Sequence, residues 1–560
     1  MSRRVHRAHT EYHIILRNLQ GCTRTATNRL DVLPIGGVGR APDHLVGGRS
    51  GRRVPRQSCV VIEVLGQHLY VCRRRWSRCQ RGQGCRIQPR HVRHVVEVDE
   101  LRQVAVFDAI GVILTNVLML MVVVFAEFGE AHRGEALLIE RVMVASAQEA
   151  VQPEDQKRLY SGIVRAPDVG DEAGKGIGAA REWMKAEFEG YSKDCGGCLE
   201  VKTDSFTEPP ADRIPKPTEI TNVYAVLGGS DAEQAKRIVL VTGHYDSRNS
   251  DTLNGTDPAP GANDDGSGTA VSLECARVLS KAVLNKIKFP ATIIFLTVAG
   301  EEQGLNGSKH FAQMAKQQAW KLEAVLNNDI VGGDRSPQQD ASVVRVFSEG
   351  LPAAANEAEI KRIRTLGGES DSTSRELARF IADVGRSYDA GVKPLMIFRL
   401  DRFLRGGDHY SFNQQGFAAV RFTEFREDFN HQHQTPRTEN GIEYGDLLKF
   451  VDFNYVAHVA RLNAATLASL ASAPAPPANV KMQTKALDND TTLTWELSAG
   501  AAAYEVVWRS TKAPDWEYVQ TVSSGTRATL KVSKDNVIFG VRAVDAAGHR
   551  SLPVVPEPER

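Results

Sequence analysis

The stretch Thr292-Ile-Ile-Phe-Leu-Thr-Val-Ala-Gly-Glu-Glu-Gln-Gly-Leu-Asn-Gly-Ser308 decides how the remainder of the chain is read. Thr292 to Val298 is a run of β-branched and apolar residues, the composition of a strand buried on both faces of an α/β sheet. The run breaks at Ala299-Gly300, and two carboxylates follow side by side, Glu301 and Glu302. Gly304 and Gly307 allow a tight exit, and Ser308 is placed to cap a helix predicted over 309–316. Open α/β sheets bind their ligands at the carboxyl ends of strands, which is where this pair falls. Two acids so close repel, so a cation or a shifted pKa is expected beside them. A lone Glu-Glu pair is ordinarily a solvated loop. Its neighbours along the chain argue otherwise.

Outward from this strand, residues 222–227 and 237–243 read as strands before it, and 322–326 and 418–423 as strands after it. Helical spacing marks 178–191, with Trp183, Met184 and Phe188 inward, then 266–282, and a helix near 374–383 inside a long excursion over 334–401. Strands alternating with helices predict an α/β sandwich. At the predicted strand ends lie five polar segments. They are Thr242-Gly-His244-Tyr-Asp246, Gly261-Ala-Asn-Asp264-Asp-Gly-Ser-Gly268, Glu301-Glu302, Asn327-Asn-Asp329, and Asn430-His431-Gln-His433-Gln-Thr-Pro-Arg-Thr438. Singly, His-x-Asp is usually a polar loop and Asn-Asp-Asp-Gly a turn. Jointly, imidazoles and carboxylates make a donor set suited to zinc, and one carboxylate shared by two ions about 3.5–4 Å apart is the usual form of a co-catalytic site.

The chain's 560 residues have room for several domains. With 69 basic and 68 acidic residues the formal charge is +1, which offers no electrostatic case for a nucleic-acid partner. No lysine precedes Lys157, arginine is dense from Arg3 to Arg102, and five of the eight cysteines lie before residue 86. Residues 1–150 are therefore read as an Arg-rich segment that does not form a folded domain. Lysine absence beside arginine excess is what GC-rich DNA yields when translated outside its natural frame. Mass-spectrometric peptides from residues 1–140 of the native protein would refute that reading. Residues 109–126 are almost wholly apolar and reach the lower limit of a membrane span. Cys195-Gly-Gly-Cys198 reads as a local disulfide in an exported protein and as a thiol pair in a cytosolic one.

The catalytic region is assigned to 151–466, and 467–478 (Leu-Ala-Ser-Leu-Ala-Ser-Ala-Pro-Ala-Pro-Pro-Ala) is read as a Pro/Ala linker. Beyond it, 479–556 carries short alternating strands around Trp495, Tyr504 and 537–544, the pattern of a small β-sandwich. Trp495, Tyr504 and Val541-Arg-Ala-Val-Asp-Ala-Ala-Gly548 resemble a fibronectin type III module, which implies an all-β, immunoglobulin-like sandwich. Such a module is expected to be a spacer whose deletion leaves catalysis intact.

In order and wording, the five segments resemble the M28 family of zinc aminopeptidases, of the bacterial, secreted type. The match runs H-x-D, G-x-N-D-D-x-S-G, G-E-E-x-G-x-x-G-S, N-x-D, D-H and a late histidine. The resemblance implies a three-layer zinc-exopeptidase sandwich with a mixed central sheet, two Zn2+ ions per chain and peptide substrates with a free amino terminus. It also implies export to the medium or periplasm. His244 and Asp329 would hold one ion, Glu302 and His433 the other, and Asp264 would bridge them. Glu301 would be the general base, and Asp246 would hold the free nitrogen of His244. His431 competes with His433, whose spacing to Thr438 fits the family, although Arg437 stands where the family has an acid. In Gly406-Gly407-Asp408-His409 a glycine replaces the more usual serine. Asp408 and His409 are read as scaffold of the substrate pocket, and Arg405 as the candidate for the oxyanion. Two rivals remain: a glutaminyl cyclase-like enzyme with one zinc, and a non-catalytic adhesion module on the same fold, whose mark would be degenerate ligands.

Overall fold

The computed structural model describes residues 176–559 and, nearer the amino terminus, the strands Glu11–Leu16, Ser58–Val64 and Gln67–Arg74. These three strands form an antiparallel sheet with Gln67–Arg74 in the middle. The rest of the Arg-rich segment, including the apolar run 109–126, lies outside the described residues. No helix among the described residues is long and apolar enough to cross a membrane.

From Gly176 onward the order is α1 (Gly176–Asp194), β1 (Leu199–Glu208), β2 (Thr218–Leu227), β3 (Arg237–His244), α2 (Gly266–Leu284), β4 (Thr292–Val298), α3 (Asn306–Gln317) and β5 (Lys321–Asn328). Then come β6 (Val343–Ser348), α4 (Glu357–Leu366), α5 (Thr373–Ser387), β7 (Lys393–Ile397), α6 (Asp408–Gln414), β8 (Ala419–Glu424) and α7 (Phe453–Ser472). The eight strands make one mixed sheet, ordered β7-β6-β8-β5-β3-β4-β2-β1. Its centre, β8-β5-β3-β4, is parallel, and every residue of β3, β4 and β8 is buried. That is why these strands read as continuous apolar runs rather than alternations. Helices cover both faces. Met184, Phe188, Leu273, Ile381 and Leu462 pack from α1, α2, α5 and α7 on one side, Phe311 and Phe412 from α3 and α6 on the other.

Two local readings need correction. Ser308 is not a helix cap: α3 begins at Asn306 after Leu305, which turns the chain in the left-handed region with φ 63°. Ser308 instead bonds Ser411 inside the fold. The supposed linker also starts as helix, because α7 runs to Ser472 and buries Leu467 and Leu470 in the main core. The Pro-Ala composition hid this apolar pair at helical spacing. Ala473 stays buried, its carbonyl accepting from Arg237 Nη1 at 2.5 Å.

The C-terminal region is all-β. Lys481–Gln483, Thr491–Thr494, Arg527–Leu530 and Glu557–Glu559 form one sheet, and Ala503–Ser510, Tyr518–Val522 and Val537–Val544 another. Leu493, Trp495, Tyr504, Val506, Phe539 and Val541 make a core of their own. The region is docked rather than tethered. Trp516 Nε1 donates to Glu376 Oε2 at 3.0 Å, Arg379 Nε donates to the Pro514 carbonyl at 2.6 Å, and Arg509 pairs with Asp371. The Arg509 and Asp371 side chains are only 2% and 5% exposed. Removing one partner of a buried pair leaves the other charge uncompensated, so Arg509→Ala is expected to destabilise the chain by about 3–5 kcal/mol. Chemical denaturation measures this, and an unchanged midpoint would show that the two parts are not coupled. Deleting the module would likewise expose Glu376 and Arg379 on α5.

Candidate metal centre

The carboxyl ends of the central strands bring the predicted residues together. His244 ends β3 in register with Val298, the last residue of β4, and Asp329 directly follows β5. The turn after β4 presents Glu301 and Glu302, the segment before α2 presents Asp264, and the loop after β8 presents His433. Gly268 lets α2 sit against β5: a Cβ there would lie 2.0 Å from the Asn328 carbonyl oxygen.

Asp264 faces both histidines. Its Oδ1 is 3.2 Å from His244 Nε2 and its Oδ2 is 2.9 Å from His433 Nε2. His433 Nε2 is also 2.8 Å from Glu302 Oε1, and His244 Nε2 is 4.0 Å from Asp329 Oδ1. Ligand atoms of His244, Glu301 and Asp329 all lie within 4.8 Å of one another, as do those of Asp264, Glu302 and His433. His244 Nε2 and Glu302 Oε1 are buried, yet neither makes a properly directed hydrogen bond. Two imidazoles and four carboxylates so arranged fit two divalent cations. His433, not His431, takes part; His431 Nδ1 is held by Asp334 Oδ2 at 2.5 Å.

The electrostatics agree. Burial disfavours the His244 cation, but Asp246, Asp264, Asp265 and Glu301 hold its pKa well above the usual value. Burial, reinforced by the charges of Glu302, Asp329 and Asp408, pushes the Glu301 carboxyl well up despite His244. His433 is half-buried, and Asp264 and Glu302 beside Nε2 favour a proton there.

Several roles differ from expectation. Asp246 holds His244 Nδ1 through its backbone carbonyl at 2.9 Å, its carboxylate standing 3.6 Å away. That carboxylate instead accepts the backbone N–H groups of Glu301 and Glu302, at 3.2 Å each, and so fixes the turn bearing both acids. Arg405 is taken by Glu427 at 2.5 Å, a carboxylate it shares with Arg402 and Arg345. The arginine at the centre is Arg421, wholly buried on β8, with Nη2 2.8 Å from Asp329 Oδ1. It also accounts for the glycine at 407, where a Cβ would lie 2.5 Å from Arg421 Nη1. Asp408 and His409 are buried at the start of α6. His409 Nε2 is hydrogen-bonded to the Leu400 carbonyl at 3.0 Å, and burial pushes Asp408 up to about 7.

Other residues hold the donors in place without having been anticipated. Asp265 accepts the backbone N–H groups of His244, Gly268 and Ile330 at 3.0, 2.9 and 3.2 Å, tying β3, α2 and the turn after β5 together. Its position immediately before a helix is an N-cap signal that could have revealed it. Asp446 accepts the N–H groups of Asn263 and Asp264, and Gln432 Nε2 donates to Asp264 Oδ2 at 2.7 Å. Behind His433 stands an arginine, not an acid. Arg248 Nη2 is 2.6 Å from His433 Nδ1, and Arg248 Nε donates to Glu302 Oε2 at 2.9 Å. A guanidinium has no acceptor, so Nδ1 must accept. The ring's proton then belongs on Nε2, between the two carboxylates, where a bound cation would replace it. Arg437 lies elsewhere, paired with Glu439.

A mixed α/β sheet with clustered His, Asp and Glu at its carboxyl edge defines a candidate metallohydrolase. The sequence profile of peptidase family M28 matches residues 222–455. The chain is 48% identical over 388 residues to a probable zinc metalloprotease of Leptosphaeria maculans, covering 68% of this chain and 88% of that protein. A second probable zinc metalloprotease, of Pyricularia oryzae, is 45% identical over 395 residues, covering 69% and 77%. The chain belongs to peptidase family M28. These relatives are fungal, so the bacterial-type expectation finds no support in them. Among solved structures, the LapA aminopeptidase of Legionella pneumophila matches with a TM-score of 0.42 at 19% identity, covering 59% of this chain and 74% of that one.

Proposed function

We propose that the protein is a dizinc aminopeptidase that hydrolyses the first peptide bond of substrates with a free amino terminus. The observation that carries this is Asp264, whose two oxygens face two imidazoles at 3.2 and 2.9 Å. His244, Asp264 and Asp329 would hold one zinc and Asp264, Glu302 and His433 the other. Zinc, when bound, acts as a Lewis acid toward the scissile carbonyl and makes water a nucleophile near neutral pH. Glu301 takes the proton of the attacking water and returns it to the leaving amine. Asp246 keeps Glu301 from drifting by holding its backbone N–H. The carboxylate-rich site receives the substrate's free ammonium, which favours exo- over endo-cleavage. Arg421, always charged, orients Asp329 from behind.

A panel of amino-acid p-nitroanilides tests this reading. Free-amine substrates should be cleaved, their N-acetylated forms should not, and a chelator should abolish turnover. Cleavage of the acetylated forms at equal rate would defeat the exopeptidase assignment.

The C-terminal region is assigned by the same reading to a fibronectin type III-like module, supported by its two packed sheets and the Trp495–Tyr504 contact at 5.3 Å between ring centroids. Export from the cell is the proposed location, supported by the bond between Cys195 and Cys198. Native protein found reduced and confined to the cytosol would reject it.

A further inference from the structure

A second group of donors lies beside the zinc ligands but shares none of them. Ligand atoms of Asp334, Asp428 and His431 all fall within 4.8 Å of one another. Next to them is a cavity of about 10 Å³, lined by Glu424, Asp428, His431 and Asp446 and bordered by Asp264 of the catalytic pair. That is room for about one small particle. Glu424 is the last residue of β8 and is wholly buried. Its Oε2 accepts from the Asp334 backbone N–H at 2.9 Å and Asn263 Nδ2 at 3.2 Å, whereas Oε1 is buried with no partner.

The charges do not balance within the group. Asp334 has His431 at 2.5 Å, and Glu427, also on the cavity wall, is met by three arginines. Among the described residues Glu424 is ion-paired with no cationic side chain, Asp428 and Asp446 lie near His431, which Asp334 already holds, and Asp446 also accepts the backbone N–H groups of Asn263 and Asp264. Carboxylates gathered this closely, Glu424, Asp334 and Asp446 buried and Asp428 half-buried, hold a proton or a cation among them. The His431 ring is held for such a role, stacked on Phe450 at 3.7 Å between centroids.

We propose that Glu424, Asp334, Asp428 and His431 form a third cation site, taking a divalent first-row transition ion through carboxylate oxygens and one imidazole. That donor mixture suits zinc or manganese better than calcium, which takes oxygen ligands alone. The site's role is positioning. It clamps the end of β8 to the loop that carries Gln432 and His433, and Gln432 in turn holds Asp264.

The test counts zinc bound per full-length chain after equilibrium dialysis against Zn2+ alone. Asp428→Asn, on a half-buried loop, and Glu424→Gln, an isosteric change, are each expected to bind one ion fewer than the unaltered chain. The decisive comparison adds Asp428→Asn to His433→Gln. One further zinc lost from the double variant supports a separate site, whatever the total at the catalytic pair. No further loss means that the cluster holds no ion of its own, and overturns the proposal. Circular dichroism of each variant confirms folding, and if Glu424→Gln fails to fold the Asp428→Asn comparison decides alone.

Discussion

Glu301→Gln is expected to keep both zinc ions and the fold while lowering kcat by roughly 10²–10⁴-fold, the usual contribution of a positioned general base. The amide is isosteric but cannot accept a proton. KM should move little, because the side chain makes no contact that binds substrate before the proton moves. Geometry leaves this test open to failure. Glu301 falls within ligand distance of His244 and Asp329, so a role as metal ligand is the physical alternative. Zinc content settles it: an ion lost from Glu301→Gln, with Glu302→Ala retaining both, would reverse the roles of the two glutamates.

The other large effect belongs to Asp264→Ala. One carboxylate faces both histidines, so truncating it should empty both positions rather than one. Loss of an outer partner typically costs 10–100-fold in metal affinity; loss of a shared ligand should exceed that at each ion. Dialysed protein is expected to retain no stoichiometric zinc and no peptidase activity above background. Loss of a single ion with the other held normally would show that Asp264 does not bridge.

The parts of this molecule legible in the sequence are those whose cause is local. The strand 292–298 carries its own apolar run, and a glycine-rich break after a buried strand places polar groups at the sheet's edge. His244, Asp264, Glu301, Glu302 and Asp329 could thus be named from short motifs, and His433 from its spacing to Thr438. What the sequence hid is made by contacts between distant segments. Arg248 reaches His433 across 185 residues, Arg421 reaches Asp329 across 92, and Asp446 reaches Asp264 across 182. No short window of residues contains any of the three pairs, and an arginine on a buried strand carries no local sign of its partner. The same cause explains the misread linker. Proline and alanine signal an extended spacer by composition, but Leu467 and Leu470 find a core that only the folded sheet provides. Arg405 was chosen because it lies near the D-H motif in sequence, and Glu427 is what draws it away.

The proposed activity depends on two cooperating ions and a free amino terminus, and one titration addresses both. Metal-free protein is given zinc stepwise, and the hydrolysis of leucine p-nitroanilide is followed at each addition, with the N-acetylated substrate in parallel. The prediction is activity on the free amine that reaches its plateau only when the catalytic pair holds two ions, counted with the His431 cluster disabled by Asp428→Asn. A plateau at one ion per chain in that variant, or equal hydrolysis of the acetylated substrate, would contradict it.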